Sequence, residues 1–364
     1  MHGGRIYEYA QRSGRSPDEV FDFSANINPF GPPISVLSAI RTAMEGIRHY
    51  PDARHADVIQ SIRTRHHLKE KQAVFCGNGA SEIIDLIMRS IAPKRLFVFE
   101  PAFAEYHRAA RRVGAKVIRI SIVPGDISHM SGFAQGLTFA LEMAMRGDMV
   151  VINNPHNPTG LCWQREEFID TVEKLCEKQV TVVVDESFMD FRWDEKGKTV
   201  MGDVERLRYL VVVRSATKMY AIPGLRFGFG VAHEDLVARI DSDRDRWSVN
   251  HLAQVAAAAA YRDDRFVHET WNWLRAEQGY ILETWGTHEA VQLYDPSVNY
   301  FLLRLKEAIP VHIIFQQFER EGIFVRCCED FMGLDERYIR IAIKSHADNA
   351  RLWHAFLNAT ENLP

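Results

Sequence analysis

Six short apolar runs rich in β-branched residues constrain this chain more than any other feature of its sequence. They cover residues 95–99, 117–121, 149–152, 180–184, 209–213 and 227–231. Helical patterns lie between several of them, including residues 104–113 and 165–178. Strands that are apolar along their whole length are buried on both faces, as in parallel sheets covered by helices. The sequence therefore predicts an α/β fold built around a mostly parallel sheet.

The second half of the chain shows a different pattern. A long alanine-rich helical stretch at residues 251–283 precedes strand-like segments at 299–304 and 338–343. A chain of 364 residues is longer than most single domains. We therefore expect a large domain followed by a smaller α+β domain. The predicted divisions are an N-terminal segment that joins the small domain (1–48), the large domain (49–245) and the small domain (246–364).

Composition excludes several classes of protein. The net charge of −4 gives no general reason to bind nucleic acid or an anionic membrane, so an anionic ligand needs a local cluster of donors. Five cysteines without CxxC spacing argue against a disulfide framework or a thiolate zinc site, and they fit a reducing cytoplasm. The start of the chain lacks an apolar signal core, and no apolar run is long enough to span a bilayer. We expect a cytoplasmic protein.

One lysine, Lys218, follows the run that ends at residue 213. A lysine beside the carboxyl end of a buried strand loses hydration, which lowers its pKa and frees its amine to form a Schiff base. The neighbouring Ser215, Thr217 and Arg226 can donate to a phosphate near that amine. We interpret Lys218 as the residue that carries pyridoxal phosphate; a solvated surface lysine is the alternative.

Two other predicted strand ends carry polar side chains that fit the same ligand. Asp185 ends a buried strand, where a carboxylate is costly unless it is paired, and it can pair with the protonated ring nitrogen of pyridoxal phosphate. A Walker B acid is the other interpretation, but it fails because the chain has no GxxxxGK loop. Asn157 lies in a proline-rich turn and can face a ring oxygen, although a purely structural turn is equally open.

A glycine turn at Gly77 and Gly79 precedes a helical pattern and predicts an anion site. Backbone N–H groups and the positive end of a helix dipole meet at such a turn. Gly77-x-Gly79 is also the front of a dinucleotide fingerprint, with Glu100 near the expected ribose-binding acid. Because Glu82 replaces the third glycine and a proline follows Glu100, a phosphate cradle is favoured over a nicotinamide-binding fold.

Taken in chain order, these segments resemble a known family. The motifs Gly-Asn-Gly, Pro-x-Phe-x-x-Tyr, Asn-Pro-x-Gly, Asp-Glu-x-Phe and Ser-x-Thr-Lys…Gly-Leu-Arg are similar to those of the histidinol-phosphate aminotransferase group. These are fold-type I pyridoxal-phosphate enzymes. Within the group, the chain is most similar to the L-threonine O-3-phosphate decarboxylases of cobalamin biosynthesis. The specific features lie at residues 2–4, 22–29, 103–106, 220–226 and 247–250.

The resemblance implies a fold and a set of site residues. The large domain would contain a seven-stranded, mostly parallel sheet, and two subunits would form a homodimer with active sites at their interface. Lys218 and Asp185 would be the catalytic residues, forming the Schiff base and binding the pyridine nitrogen. The other cofactor contacts would be Gly79, Ala80, Phe103, Asn157, Ser215, Arg226 and, from the second subunit, Tyr50. The substrate contacts would include Asn157, and Arg340 would bind the substrate carboxylate. Arg326, together with His2 and Asn26 or Asn28, would bind the other polar groups of the substrate, above all the phosphate.

The implied reaction is decarboxylation of L-threonine O-3-phosphate to (R)-1-amino-2-propanol O-2-phosphate and CO2. Serine phosphate stays open as a substrate, because one methyl group changes selectivity by only about 1–3 kcal/mol. A histidinol-phosphate-type aminotransferase is the alternative on the same scaffold. A non-enzymatic protein of this fold would need a DNA-binding segment, and none is recognisable.

Two positions need separate comment. Aminotransferases of the group commonly have Tyr where this chain has Phe188, so a hydroxyl donor to the ring oxygen is missing. His156 could transfer a proton beside the ring or could be an ordinary turn residue.

The chain ends at Pro364 without the cysteine-rich extension of some archaeal members, so no metal is expected.

Overall fold

A computed structural model describes residues 3–122 and 131–361. Its strands are β1 (Phe21–Asp22), β2 (Gln72–Gly77), β3 (Arg95–Glu100), β4 (Lys116–Ser121), β5 (Met149–Asn153), β6 (Thr181–Asp185), β7 (Leu210–Ser215), β8 (Gly228–His233), β9 (Val291–Leu293), β10 (Tyr300–Leu305), β11 (Ile323–Phe324), β12 (Arg326–Cys327) and β13 (Tyr338–Ala342). Its α-helices are α1 (Ile6–Ser13), α2 (Ile34–Ala43), α3 (Ala56–Arg65), α4 (Ala80–Ile91), α5 (Ala104–Arg112), α6 (Ser131–Met143), α7 (Ile169–Glu177), α8 (Ala216–Met219), α9 (Glu234–Ser242), α10 (His251–Tyr261), α11 (Asp264–Thr284), α12 (Val311–Arg320) and α13 (His346–Glu361).

The main sheet has seven strands in the order β2-β8-β7-β6-β5-β3-β4. All neighbouring pairs are parallel except those of β8, which runs antiparallel to β2 and to β7. The predicted mostly parallel sheet is confirmed, and each of the six predicted runs forms a strand. Since β3, β5, β6 and β7 are parallel, their carboxyl ends lie along one edge of the sheet.

The sheet is covered on both faces because alternate side chains pack into different cores. In β6, Val182 and Val184 belong to one hydrophobic cluster, while Val183 belongs to the cluster on the other face. Helices α4, α5 and α9 contribute to the Val183 cluster, and α7 and α10 contribute to the other. Burial of each such valine stabilises the fold by about 1.5–3 kcal/mol. This explains why the strands contain apolar runs rather than an alternating pattern.

A second sheet, with the order β12-β13-β10-β9, is antiparallel and belongs to the C-terminal part of the chain. The N-terminal strand β1 pairs with β11 in parallel, so the start of the chain packs against this part. The pairing agrees with the predicted role of residues 1–48, while the exact domain boundaries stay a prediction.

The long helical stretch predicted at residues 251–283 consists of two helices, α10 and α11. The helical stretch is interrupted at Asp263, the N-cap residue of α11, whose side chain accepts a hydrogen bond from the backbone N–H of Phe266 at 3.0 Å. Aspartate is a favoured N-cap, so a new helix begins there. Within the described ranges, we find no helix with the length and apolar character needed to cross a membrane.

Candidate active site

A cavity of about 560 Å³ lies at the carboxyl edge of the main sheet. Three parts of the chain form its wall: the N-terminal loop, the ends of the parallel strands and the C-terminal part. Among its lining residues are Asn26, Asp185, Ser215, Arg326 and Arg340. Ligands of open α/β sheets bind at this edge, where side chains can leave the sheet without disrupting its hydrogen bonds. The fold therefore gathers residues that are far apart in sequence.

Lys218 reaches this cavity from the short helix α8, which begins directly after β7. Its Nζ lies 3.5 Å from Ser215 Oγ and 3.4 Å from Thr217 Oγ1. The same atom lies 5.0 Å from the centre of the Phe188 ring. The amine thus has hydroxyl groups on one side and an aromatic face on another.

The charge of Lys218 is disfavoured in this position. Burial lowers the pKa of its amine from 10.5 to about 8, the attraction of Asp185 works in the opposite direction, and Arg226 and Arg340 lower it further. The lowered pKa predicted from the sequence is therefore present. Lowering the pKa increases the neutral fraction of the amine, which is the form that acts as a nucleophile.

Asp185 is buried and held by two donors. Its Oδ2 accepts a hydrogen bond from the Tyr106 hydroxyl at 2.6 Å, and its Oδ1 accepts one from the Ser187 backbone N–H at 3.0 Å. Tyr106 was not predicted as a site residue, although it belongs to the Pro-x-Phe-x-x-Tyr motif. The available signal was the spacing: Tyr106 lies three residues after Phe103, so the two side chains lie on the same side of α5. Phe103 lines the cavity, and Tyr106 contacts both Phe103 and Asp185.

Asn157 and Arg340 form one unit. Arg340 Nη1 donates to Asn157 Oδ1 at 2.6 Å, and Nη2 donates to the Ser24 carbonyl at 2.9 Å. Since the Asn157 oxygen is engaged, its amide N–H groups remain as donors toward a ligand. Arg340 Nε is buried and has no hydrogen-bond partner in the described part of the chain. Burial also lowers the pKa of Arg340.

The predicted phosphate cradle lies at the start of α4. Gly79 is the N-cap residue, and its φ of 84° is a backbone conformation that favours glycine. The Arg226 guanidinium lies close to its backbone, since a Cβ atom at Gly79 would be 2.6 Å from Arg226 Nη2. Ala80 and Arg226 line the cavity. Among the described residues, the Arg226 guanidinium makes only long contacts of 3.5 Å with the carbonyls of Pro223 and Asn78. It is therefore available to an anion at the helix N-terminus.

The two aromatic positions singled out in the sequence also reach the cavity. Phe103 and Phe188 both line it. The Phe103 ring meets the Tyr106 ring edge to face at 5.8 Å, and Phe188 meets Tyr300 at 4.9 Å. These contacts fix the orientation of two flat apolar walls.

Of the two candidate asparagines, the structure brings only Asn26 to the cavity. Asn26 is buried, and its Oδ1 has no hydrogen-bond partner among the residues described. Asn28 is not a lining residue, because its Nδ2 donates to the Met219 carbonyl and to Thr270 Oγ1, both at 2.9 Å. Its side chain fastens the N-terminal loop to the helices behind the site.

Two further candidates, Tyr50 and His156, do not line the cavity. His2 falls outside the described residues. Tyr50 is 80% exposed, packs at a tilt against Trp247 with ring centres 4.8 Å apart, and does not line the cavity of its own chain. His156 is buried beside Thr159, with Nδ1 2.7 Å from Thr159 Oγ1, and burial lowers its pKa to about 4. The structure favours the turn interpretation of His156, since the ring is neutral and does not line the cavity.

A group with metal-binding potential lies outside the cavity. In the described part of the chain, His66, Asp190 and Glu195 lie close enough together to hold an ion. Arg214, however, pairs with Asp190 at 2.5 Å and with Glu195 at 3.2 Å. The guanidinium already neutralises these carboxylates, so the arrangement gives no support to a metal site.

The family model for aminotransferase class I and II matches residues 18–356. A threonine-phosphate decarboxylase from Salmonella typhimurium is 35% identical over 361 residues, covering 98% of this chain and 96% of the relative. The solved L-threonine-O-3-phosphate decarboxylase from Porphyromonas gingivalis is 26% identical with a TM-score of 0.78, covering 94% of this chain and all of that one.

An aminotransferase structure is also similar. The histidinol-phosphate aminotransferase from Clostridium acetobutylicum has a TM-score of 0.86 at 29% identity, again covering 94% of this chain and 100% of the other. The resemblance and the fold class predicted from the sequence are confirmed. The overall shape is common to both activities, so the TM-score does not choose between them.

Proposed function

We propose a function from one premise: this chain belongs to the aminotransferase class I and II family. On that scaffold we propose a pyridoxal-phosphate-dependent decarboxylase that converts L-threonine O-3-phosphate to (R)-1-amino-2-propanol O-2-phosphate and CO2 in cobalamin biosynthesis. The observation that carries the proposal is one cavity that brings Lys218, Asp185 and two arginines, Arg326 and Arg340, together.

The residues present fit pyridoxal phosphate. The start of α4, Ser215 and Arg226 would hold its phosphate, Asp185 its ring nitrogen and Asn157 its ring oxygen, while Phe103 would lie against the ring. The unengaged amide N–H groups of Asn157 and the loosely held Arg226 guanidinium are the donors that such a ligand requires. When bound, the cofactor supplies an electron sink for the pair left at Cα as CO2 departs.

The chain's own residues orient the substrate and move its protons. Arg340 would bind the substrate carboxylate and so set the direction of the bond to be broken relative to the ring. Tyr106 donates a hydrogen bond to Asp185 and so restrains the carboxylate that would bind the ring nitrogen. Lys218, with its pKa near 8, can return a proton to Cα after CO2 has left.

The two arginines match a substrate with two anionic groups. A guanidinium binds a carboxylate or a phosphate through paired N–H donors. Arg340 would take the carboxylate and Arg326 the phosphate, with Asn26 beside them. Serine phosphate has the same two anions, so an assay comparing threonine phosphate with serine phosphate decides which is preferred.

The alternative function is a histidinol-phosphate-type aminotransferase, which removes the Cα proton instead of CO2. Phe188 supports the decarboxylase, because it lines the cavity without the hydroxyl that aminotransferases of the group commonly place there. The test is incubation of the purified protein with threonine phosphate. We expect CO2 release without an amino acceptor; amino transfer to 2-oxoglutarate without CO2 release would overturn the proposal.

We also propose that the protein is a homodimer in the cytoplasm. Large apolar side chains are exposed at Ile34 (82%), Ile47 (61%), Tyr50 (80%) and Trp247 (49%), and a monomer would leave this surface in water. A second copy would cover it and would bring Tyr50 to the partner's cofactor phosphate. Light scattering should give twice the chain mass, and Tyr50→Phe should weaken cofactor retention.

The five cysteines are all free, which agrees with the proposed location in a reducing compartment.

A further inference from the structure

Arg326 separates two spaces on the protein surface. It lines the catalytic cavity and also a second cleft of about 470 Å³ between α1 and the C-terminal part. Its side chain is only 11% exposed, and the guanidinium lies 5.1 Å from the centre of the Phe331 ring. The guanidinium therefore forms part of the wall between the two spaces.

The bonds of Arg326 hold it on the side of the second cleft. Nη2 donates to Asp330 Oδ1 at 2.6 Å, and Nη1 donates to the Cys327 carbonyl. Asp330 lines the second cleft but not the catalytic cavity. The ion pair thus draws the guanidinium away from the space that the substrate would occupy.

Arg326 needs an anion in this position. Burial lowers its pKa and the like charge of Arg340 adds to that effect, while Cys328, Cys327 and Glu329 act in the opposite direction. A buried cation is retained only when it is paired. Asp330 supplies the counter-charge inside the chain, and a substrate phosphate would supply a stronger one from the cavity.

We propose that Asp330 is a competing counter-ion for Arg326, which it holds toward the second cleft until the phosphate of a substrate takes the guanidinium over. This inference rests on the proposed function, because it assigns the phosphate to Arg326. Asp330 would thereby determine specificity, because a ligand without a phosphate interacts too weakly with Arg326 to break the ion pair. A phosphate monoester carries close to two negative charges at pH 7 and can do so.

The test compares two neighbouring carboxylates in the holoenzyme. Asp330→Asn removes the competitor, and Glu329→Gln removes a charge from the adjacent residue, which lines the same cleft. In the described part of the chain, Glu329 makes no direct ion pair with Arg326 and acts on it only through longer-range attraction. It is therefore the control that changes the local charge without breaking the ion pair. Both residues are exposed, so neither variant should fail to fold.

The probes are L-threonine O-3-phosphate, inorganic phosphate and L-threonine. For Asp330→Asn we expect KM for threonine phosphate and the inhibition constant of inorganic phosphate to fall roughly two- to fivefold, the range of an exposed ion pair. The value of kcat and the affinity for L-threonine should stay unchanged. Glu329→Gln should change the constants for threonine phosphate and inorganic phosphate clearly less than Asp330→Asn does, because it leaves the ion pair intact.

Three outcomes would overturn the inference. Weaker binding of threonine phosphate by Asp330→Asn would mean that Asp330 positions Arg326 for the substrate. Unchanged binding would mean that the ion pair does not compete. An equal gain in phosphate affinity in Glu329→Gln would show that the effect comes from the overall charge and not from the ion pair. If the wild-type protein neither binds nor decarboxylates any phosphorylated amino acid, the proposed function fails instead, and inorganic phosphate still tests the ion pair.

Discussion

Two adjacent carboxylates at the end of β6 have different surroundings. Asp185 faces the cavity and accepts from the hydroxyl of Tyr106, whereas Glu186 is fully buried and pairs with Arg214 at 2.8 Å. Consecutive side chains at a strand end leave the sheet on opposite faces. One strand end therefore serves two regions, the reactive cavity and a buried ion cluster.

The balance of charges distinguishes the two regions. Burial acts to lower the pKa of Arg214, but Glu186, Glu195 and Asp190 outweigh it and raise that pKa. At Lys218, burial lowers the pKa to about 8, the one carboxylate of Asp185 raises it, and two guanidinium groups lower it further. Counter-charges thus outweigh burial at Arg214, whereas burial outweighs the single counter-charge at Lys218.

The largest effect is expected at the reactive cation. Lys218→Ala should lower kcat by at least about 10³-fold, roughly 4 kcal/mol, because the nucleophilic amine is lost. Stability should not fall, since the removed amine was held in a position that disfavours its charge. Steady-state assays and chemical denaturation measure the two quantities.

Lys344→Ala is the matched control for that variant. Burial lowers the pKa of Lys344 as well, but its Nζ donates to the Ala25 carbonyl at 3.3 Å and it does not line the cavity. Cofactor absorbance should persist in this variant. Full activity in Lys218→Ala would refute the assignment of the central residue.

The opposite behaviour is expected in the buried cluster. Arg214→Met leaves buried carboxylates without a partner, so the free energy of unfolding should fall by about 3–5 kcal/mol. Arg206→Met is the control: Arg206 is 45% exposed and pairs with Glu173 and Asp203, and its loss should cost less than about 1 kcal/mol. Equal losses in urea denaturation would contradict the structural role of the cluster.

A smaller effect is expected for Tyr106→Phe. Removing a hydroxyl that donates to a carboxylate should weaken cofactor affinity by about 1.5–3 kcal/mol, because Asp185 is no longer held toward the ring nitrogen. Tyr261→Phe is the control, since the Tyr261 hydroxyl is buried and has no hydrogen-bond partner among the described residues. Fluorescence titration of the cofactor-free proteins measures the affinities. Identical affinities for the two variants would remove Tyr106 from the site.

The smallest effect is expected in the pH dependence of cofactor uptake, which tests whether the pKa of Lys218 is lowered. Schiff-base formation needs the neutral amine, so the rate of cofactor uptake by the cofactor-free protein should rise with pH and level off above about 8. Below that pH the rate should fall about tenfold per unit (about 1.4 kcal/mol), as protonation removes the nucleophile. Stopped-flow absorbance follows the reaction. A rate that keeps rising toward pH 10.5 would show an ordinary, solvated lysine.

Local signals explain which predictions succeeded. The β-branched runs predicted the strands because burial on both faces leaves a continuous apolar pattern. Lys218, Asp185 and Asn157 could be chosen because each follows such a run and therefore reaches the same sheet edge. The break between α10 and α11 was missed, although Asp263 carried a capping signal, because the alanine-rich pattern continues across it.

The sequence by itself determined the order of strands and helices, the residues at the strand ends and the family, since these depend on local burial patterns and on motifs in fixed order. Only the tertiary structure decided that Asn26 and not Asn28 faces the cavity, that Tyr106 holds Asp185, and that Arg326 is held by Asp330. These choices depend on which side chains meet across elements distant in sequence. Packing sets those meetings, and no local pattern contains them.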